Sequence, residues 1–382
     1  MEEIQDAPRG PEQELNPTLA NAAANPAPSE GSDSGPMAQT APETEPVFEL
    51  PNLPTGDQDG AAEIEAEEDD NTAAMPSKAP YIAPDADYGP GHKAGFVSII
   101  GRPNAGKSTL LNALMGEKLS AVTYKAQTTR HRIFGIYSTE DEQIVFSDTP
   151  GILESTYELH KSMMRFVHES LEDAEILLLL LDATKPNAEV DPIIEVVKRA
   201  TSPVYLILNK MDMVTGKDAD ALELRAREWV TPKRVYRISA LDGTGVASLL
   251  HDIREAMPYH PPYFDKEQLS DRTERFFASE IIREKIFLNY KQEIPYSCEV
   301  VIAEFKDQPE IIRIRAEILV ERMTQKGIII GKAGEALKKV GTEARIEMET
   351  FFGKKVFLET YVRVKPDWRN HKGVLRQLGY IE

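Results

Sequence analysis

The chain has 382 residues and a formal net charge of −19 at pH 7, with 41% hydrophobic and 28% charged residues. Its one cysteine, Cys298, allows no internal disulfide and no cysteine-based metal cluster, which is typical of a reducing cytoplasm. The most apolar run, residues 176–181 (ILLLLL), is far too short to cross a bilayer. The composition therefore argues against a disulfide scaffold and against a membrane-spanning protein.

The acidity lies in an N-terminal tail. Residues 1–93 carry 20 acidic and 3 basic side chains, whereas residues 94–260 carry 23 and 19, and residues 261–382 carry 20 and 22. Residues 1–90 are rich in Pro, Ala and Glu, which predicts disorder, and the Met-Glu-Glu start is unlike a signal peptide. Since an acidic tail would repel RNA, we interpret it as a solvating extension. The length of the chain after this tail predicts two domains, residues 91–262 and residues 263–382.

Residues 101–109 (GRPNAGKST) fit the phosphate-binding loop G-x-x-x-x-G-K-[ST]. The preceding AGFVSII predicts a buried strand and the following TLLNALMG a helix, as this loop requires. Its glycines let backbone N–H groups converge on phosphate, Lys107 can reach the outer phosphates, and the Ser108 hydroxyl can ligate Mg²⁺. Nucleotide contacts are predicted for Gly101, Arg102, Pro103, Asn104, Ala105, Gly106, Lys107, Ser108 and Thr109.

The polar segment KAQTTRHR, residues 125–132, is here called the threonine loop. One of its threonines, Thr129 in preference to Thr128, is expected to close over Mg²⁺ and the γ-phosphate. Ordinary loop polarity is the alternative explanation for both threonines. His131 beside them is interpreted as a solvated loop histidine.

The next motif, IVFSDTPG, predicts a strand that ends in D-x-x-G. Asp148 is placed to hold Mg²⁺ through water, and the Gly151 N–H to touch the γ-phosphate. Nucleotide contacts are predicted for Asp148, Thr149, Pro150, Gly151 and Ile152. The predicted Mg²⁺ ligands are thus Ser108, Thr129 and Asp148, and the predicted catalytic residues are Lys107, Thr129 and Gly151.

Base selection is assigned to NKMD, residues 209–212, at the end of the apolar run PVYLILNK. The Asp212 carboxylate can accept both the N1–H and the amino group of guanine, whereas adenine offers no such pair. In SALDGTG, after the predicted strand RVYRIS, the Ala240 N–H can meet the guanine carbonyl. Contacts are predicted for Asn209, which can brace the loop, Lys210, Met211, Asp212, Ser239, Ala240 and Leu241.

The C-terminal third predicts a helix (FFASEIIREKIFLNY), two strands (SCEVVIAEF and IIRIRAEILVER), an apolar strand (GIII), a GxxG loop, a helix and a last strand. This order is that of a type-II KH module, whose GxxG loop clamps single-stranded RNA. GxxG alone is a weak signal, because a glycine-rich turn before a helix is its more usual meaning. RNA contacts are predicted for Gly331, Lys332, Ala333, Gly334, Lys338 and Lys339.

The order of the nucleotide motifs resembles that of a translation-factor-type GTPase: GRPNAGKS, QTTRH, DTPG, NKMD and SAL. The C-terminal third that follows them resembles the Era family of ribosome-assembly GTPases. The resemblance runs from about Gly95 to the C-terminus, and the acidic tail departs from it. It implies an α/β P-loop GTPase domain followed by an α+β type-II KH domain. It also implies binding of small-subunit (16S) ribosomal RNA near its 3′ end, a role in 30S assembly and peripheral association with the inner membrane.

The expected reaction is in-line attack of water on the γ-phosphate of GTP, with charge stabilised by Lys107, Mg²⁺ and backbone N–H groups. Ile152 stands where some GTPases place a water-orienting glutamine, so unaided hydrolysis should be slow. In similar GTPases an asparagine at the position of Asn104 helps to hold K⁺; bracing of the loop is the alternative. We expect a monomer that exchanges GTP and GDP. The main alternative function is a signalling or membrane-associated GTPase whose C-terminal domain binds protein or lipid.

Overall fold

The computed structural model describes residue 89 and residues 91–152, 154–185 and 191–381. Apart from Gly89, the acidic tail (residues 1–90) lies outside the described residues, so its predicted disorder stays a prediction. None of the helices in the described ranges is long and apolar enough to cross a membrane.

The apolar runs of the N-terminal half form a six-stranded sheet in the order β2-β3-β1-β4-β5-β6, in which only β2 is antiparallel to its neighbour. Its strands are β1 (Lys93–Gly101), β2 (Ile133–Ser138), β3 (Glu142–Asp148), β4 (Ile176–Asp182), β5 (Val204–Asn209) and β6 (Arg234–Arg237). The helices around it are α1 (Lys107–Met115), α2 (Glu158–Asp173), α3 (Asp191–Val197), α4 (Gly216–Ala226) and α5 (Val246–Ala256). Since parallel strands end at one edge, the motifs after β1, β3, β5 and β6 meet there.

The run ILLLLL is β4, an interior strand, as predicted. Leu178 and Leu180 enter the apolar cluster on one face of the sheet, and Leu177 and Leu179 enter the cluster on the other. Burial on both faces explains why this strand is continuously apolar instead of alternating. The predicted α/β fold with a mostly parallel sheet is confirmed.

The C-terminal third forms a second sheet in the order β7-β8-β9, with β7 antiparallel and β9 parallel to β8. The strands are β7 (Glu299–Asp307), β8 (Ile311–Val320) and β9 (Lys355–Val364). The helices are α6 (Glu274–Asn289), α7 (Ile294–Ser297), α8 (Met323–Ile330), α9 (Glu335–Phe352) and α10 (Lys372–Gln377). Helices α6, α8 and α9 contribute buried residues to one core with all three strands. We call residues 274–364 the KH module.

One predicted element of this module is wrong. Residues 327–330 (GIII) were expected to be a strand, but they form the end of helix α8. A short apolar run carries no period of its own, so the pattern alone cannot separate a strand from a helix end. Ile329 is fully buried while Ile328 is 51% exposed, because the helix turns one of them outward. With α8 in place, helix, strand, strand, helix, GxxG, helix, strand is the order of a type-II KH module, and this predicted fold is confirmed.

The segment after β9 packs against helix α2 of the N-terminal half. Trp368, Leu375 and Tyr380 are fully buried, and they form a small apolar cluster with Leu159 and Met163 of α2. The Leu159 N–H donates to the carbonyl of the segment's Arg369 at 3.0 Å. The C-terminal segment, residues 365–381, therefore packs on the GTPase half of the chain.

Candidate nucleotide site and RNA-binding loop

The phosphate loop turns tightly between β1 and α1. Gly101 and Gly106 have φ values of 157° and 100°, which L side chains rarely adopt. A Cβ on Gly101 would lie 2.5 Å from the Leu180 carbonyl oxygen, and a Cβ on Gly106 would collide with the Asn209 amide. The loop therefore needs glycine at both positions, and its backbone can approach a ligand closely.

Lys107 begins α1 and is 6% exposed. Its Nζ donates to the carbonyls of Gly101 at 3.3 Å and Arg102 at 3.1 Å, so the ammonium is held against the backbone of the phosphate loop. Burial lowers the pKa of Lys107 to about 8, against an opposing effect of the Asp148 carboxylate. A phosphate group beside it would favour the charged form.

The hydroxyls of Ser108 and Thr129 converge on the Asp148 carboxylate. Ser108 Oγ lies 2.9 Å from Thr129 Oγ1 and donates to Asp148 Oδ2 at 2.7 Å, while Thr129 Oγ1 donates to the same oxygen at 3.4 Å. The Thr128 hydroxyl instead donates to the Lys125 carbonyl at 2.9 Å. The geometry thus sets Thr129 apart from Thr128, in line with the predicted choice, whose role as a metal ligand stays a prediction.

The Asp148 carboxylate fits a divalent cation. It is fully buried, and its Oδ1 has no hydrogen-bond partner among the described residues. Burial raises its pKa, because the charged form is poorly solvated there. Ser120, which was not among the residues predicted from the sequence, donates to Oδ2 at 3.0 Å. One buried carboxylate oxygen beside two hydroxyls is the hard oxygen set that Mg²⁺ prefers.

Asn209 ties two loops together. Its Nδ2 donates to the Ala105 carbonyl at 2.8 Å, and its Oδ1 accepts the Ala240 N–H at 2.9 Å. The structure thus places the phosphate loop beside the loop after β6. The Ala240 N–H that was expected to meet the guanine carbonyl is directed at Asn209, so this base contact stays a prediction.

The remaining NKMD residues follow β5 in a short 3₁₀ turn (Met211–Met213). Lys210 adopts φ 68°, and its Nζ donates to Asp182 Oδ2 at 2.7 Å. Asp182 ends β4 and was not among the residues predicted from the sequence. Asp212 is exposed, with its carboxylate accessible to a ligand. The turn therefore leaves Lys210 anchored and Asp212 available.

The DTPG motif packs directly on the phosphate loop. A Cβ on Gly151 would lie 2.7 Å from Pro103 atoms, and the Ile152 N–H donates to the Gly101 carbonyl at 3.1 Å. The Ile152 side chain is 4% exposed and lies in the apolar cluster with α2. The Thr149 hydroxyl donates to the Ile99 carbonyl at 2.8 Å. The structure brings the expected phosphate-end residues together, and their contacts with nucleotide stay predictions.

The GxxG loop connects α8 to α9 with an unusual backbone. Gly331, Ala333 and Gly334 have φ values of 73°, 52° and 79°. A Cβ on Gly331 would lie 2.6 Å from the Ala336 Cβ, so the turn has no room for a side chain there. Lys332 and Ala333 are exposed at its tip, as are the predicted RNA-binding residues Lys338 and Lys339 on α9. The loop therefore presents backbone and positive charge to solvent at the start of a helix.

His131 is not the solvated residue expected from the sequence. Its ring stacks on Tyr380 with centroids 4.2 Å apart and planes 19° apart, and it meets the edge of Phe276 at 5.5 Å. Burial, with the nearby Arg272, lowers the pKa of His131 to about 3, so the imidazole is neutral at physiological pH. The error arose because Phe276 and Tyr380 are far from His131 in sequence.

Comparison with known families and proteins agrees with this arrangement. Residues 96–210 match the family described as 50S ribosome-binding GTPase, and residues 293–369 match the KH domain family. The chain is 46% identical over 293 residues to GTPase Era of Syntrophus aciditrophicus (strain SB), covering 76% of this chain and 96% of that protein. It is 42% identical over 297 residues to the chloroplastic GTPase ERA1 of Zea mays, covering 76% and 71%.

Solved structures show the same likeness over both sheets. A crystal structure of Era in complex with MgGDPNP and nucleotides 1506–1542 of 16S ribosomal RNA aligns with a TM-score of 0.72 at 38% identity. An Aquifex aeolicus Era variant bound to GDP and AlF₄⁻ aligns with a TM-score of 0.72 at 37% identity. Each alignment covers 76% of this chain and 100% of the other.

Proposed function

The chain belongs to the Era family of GTPases, and on that premise we propose that it is a GTP-driven switch that binds 16S ribosomal RNA near its 3′ end and acts in 30S subunit assembly. One observation carries the proposal: the residues proposed to bind phosphate, Mg²⁺ and the base share one edge of a sheet, in the same chain as a KH module with an exposed GxxG loop. We propose that the GTPase domain spans residues 91–262 and the KH domain residues 263–382.

The proposed RNA partner is supported by the family and by the loop. An Era relative that aligns over 76% of this chain binds nucleotides 1506–1542 of 16S ribosomal RNA. In this chain the positive-φ turn at Gly331 and Gly334 exposes Lys332 and Ala333 where a phosphate backbone would pass. The RNA-contacting residues would be Gly331, Lys332, Ala333, Gly334, Lys338 and Lys339.

For hydrolysis, we assign phosphate charge stabilisation to Lys107 and the γ-phosphate contact to the Gly151 N–H. Ser108, Thr129 and Asp148 would hold Mg²⁺, which would supply charge compensation for the β- and γ-phosphates when bound. Ile152 is buried and apolar, so it cannot orient water. We therefore propose slow intrinsic turnover that RNA or a partner accelerates.

We further propose that the protein works as a monomer in the cytoplasm. The Cys298 thiol fits this setting: burial raises its pKa to about 11, so it stays protonated and inert. Peripheral association with the inner face of the membrane is supported by the family resemblance alone.

Potassium dependence is proposed from Asn104. Its Nδ2 donates to the Tyr124 carbonyl at 2.8 Å, which fits loop bracing and leaves the amide oxygen as the atom for a cation. Replacing Na⁺ with K⁺ at constant ionic strength should raise the hydrolysis rate severalfold, and Asn104→Ala should abolish this response while sparing most GTP affinity. Steady-state phosphate release measures it. A rate indifferent to the monovalent ion would leave Asn104 as a bracing residue.

The RNA assignment is tested by crosslinking the protein to RNA in cells and sequencing the bound species. Reads should concentrate at the 3′ end of small-subunit ribosomal RNA. Reads spread evenly over cellular RNA would refute the ribosomal target. An absence of crosslinked RNA would refute RNA binding and favour a C-terminal domain that binds protein or lipid.

A further inference from the structure

Arg130 directly follows Thr129 in the threonine loop, and its side chain is fully buried. Its Nη1 donates to the Cys298 carbonyl at 2.7 Å and to Glu299 Oε2 at 2.8 Å. Its Nη2 donates to two more backbone carbonyls, both within α7, at 3.1 Å each. Every one of these acceptors belongs to α7, to Cys298 directly after it or to the start of β7. The loop of the GTPase half is thus held by the KH module.

The Glu299 carboxylate is itself fixed in place. It is 5% exposed, and its Oε2 also accepts the Tyr380 hydroxyl at 2.7 Å. Although burial opposes ionisation, the guanidinium groups of Arg130 and Arg283 hold the pKa of Glu299 below its usual range. The carboxylate is therefore charged and presents a defined acceptor to Arg130.

The C-terminal segment contacts both α7 and the threonine loop. Trp368 Nε1 donates to the Ser297 carbonyl at 3.0 Å, so the segment is tied to the end of α7. Tyr380 stacks on His131, the residue after Arg130. Lys125, at the start of the threonine loop, donates to the carbonyls of Phe287 and Tyr290 at the end of α6. Both ends of the loop are therefore anchored outside the GTPase half.

The Thr129 hydroxyl, in the same threonine loop, lies beside Ser108 and Asp148. Thr129 Oγ1 lies 2.9 Å from Ser108 Oγ and 3.4 Å from Asp148 Oδ2. Consecutive Cα atoms are about 3.8 Å apart, so a shift of the Arg130 backbone moves Thr129 by a comparable amount. A misplacement of about 1 Å at a reacting centre can reduce a rate about 100-fold.

We infer that Arg130 is a positioning residue for GTP hydrolysis: its bonds to α7 and Glu299 hold Thr129 at the phosphate site, which makes the KH module and the C-terminal segment part of the GTPase machinery. The inference rests on the proposed role of Thr129. Four hydrogen bonds, each assisted by the guanidinium charge, fix Arg130 directly beside Thr129.

The alternative is that Arg130 merely holds the two halves of the chain together. Lys118 offers a matched comparison, because it also joins the two halves, with its Nζ 2.8 Å from Glu284 Oε2 and in contact with Glu347. Lys118 lies in the loop after α1, and these contacts with Glu284 and Glu347 do not involve the threonine loop. If Arg130 only joins the two halves, substitutions of Arg130 and Lys118 should change the hydrolysis rate alike. If Arg130 positions Thr129, only its substitution should slow hydrolysis.

The test compares full-length wild type, Arg130→Ala, Thr129→Ala and the double variant in single-turnover hydrolysis, with protein in excess over GTP and Mg²⁺ saturating. Arg130→Ala should slow hydrolysis tenfold or more while GDP affinity changes less than twofold, because GDP lacks the γ-phosphate that Thr129 serves. In the Thr129→Ala background, Arg130→Ala should slow hydrolysis no further. Lys118→Ala should leave the rate within twofold of wild type.

A second variant covers the case in which Arg130→Ala fails to fold. Tyr380→Phe deletes only the hydroxyl that fixes Glu299, so it should fold and slow hydrolysis two- to fivefold, again with no effect in the Thr129→Ala background. Equal losses in Arg130→Ala and Lys118→Ala, or additive losses of Arg130→Ala and Thr129→Ala, would overturn the inference. A normal rate for Thr129→Ala alone would instead refute the proposed metal role.

Discussion

Asp212→Asn should weaken GTP binding by about 2–4 kcal/mol, roughly 30- to 1000-fold, if the carboxylate accepts both guanine donors. The amide presents a donor where the carboxylate presented an acceptor, so one buried guanine N–H loses its partner. Xanthine carries a carbonyl in place of the amino group, so the variant should gain affinity for xanthosine triphosphate. Titration of both proteins with both nucleotides measures the exchange.

Asp220→Asn is the matched control for this change. Asp220 is an exposed carboxylate on α4 that pairs with Arg237 at the surface, and its loss should leave affinity for both nucleotides within about twofold. Unchanged GTP affinity in Asp212→Asn would contradict the base assignment. So would an equal loss for GTP and xanthosine triphosphate, since that result would indicate a distorted loop.

Most of the nucleotide edge was predictable because each motif is local. GRPNAGKST lies between a strand and a helix, and DTPG and NKMD each follow a parallel strand, so the shared edge of the sheet brings them together. The partners of single atoms were not predictable. The Lys210 contact with Asp182 and the Asn209 contact with the Ala240 N–H depend on loop conformations that no short pattern specifies.

Contacts between residues that are far apart in the chain could not be predicted from the sequence. Arg130 is buried and bonds residues 165 to 169 positions away, and His131 stacks on Tyr380. The polar local sequence suggested solvent exposure because these partners are distant in the chain. In the KH module, the alternating run in β8 was predictable, while GIII was misassigned because four apolar residues fit either a strand or a helix end.

Replacing both residues at the tip of the GxxG loop, Lys332→Asp with Ala333→Asp, should reduce RNA affinity by about 100-fold at low salt. Both glycines remain, so the turn can form, but the charge changes by three units where the phosphate backbone is expected to pass. The loss should shrink as salt rises, since screening weakens the repulsion. GTP hydrolysis without RNA should be unchanged.

The hairpin between β7 and β8 provides the control. Lys306→Asp with Gln308→Asp makes the same charge change at exposed positions near the end of β8 opposite to α8. RNA affinity should stay within about threefold of wild type. An equal loss in both variants would mean that net charge, and not the loop, governs binding.

The most direct test of the proposed function is the affinity of the full chain for a fragment of the 3′ end of 16S ribosomal RNA, measured by fluorescence anisotropy with a non-hydrolysable GTP analogue and with GDP. We expect tighter binding in the GTP-analogue state than in the GDP state, loss of binding in the GxxG double-aspartate variant, and weak binding of a shuffled fragment. Equal affinity for the native and shuffled RNA, or full affinity in the GxxG variant, would contradict the account.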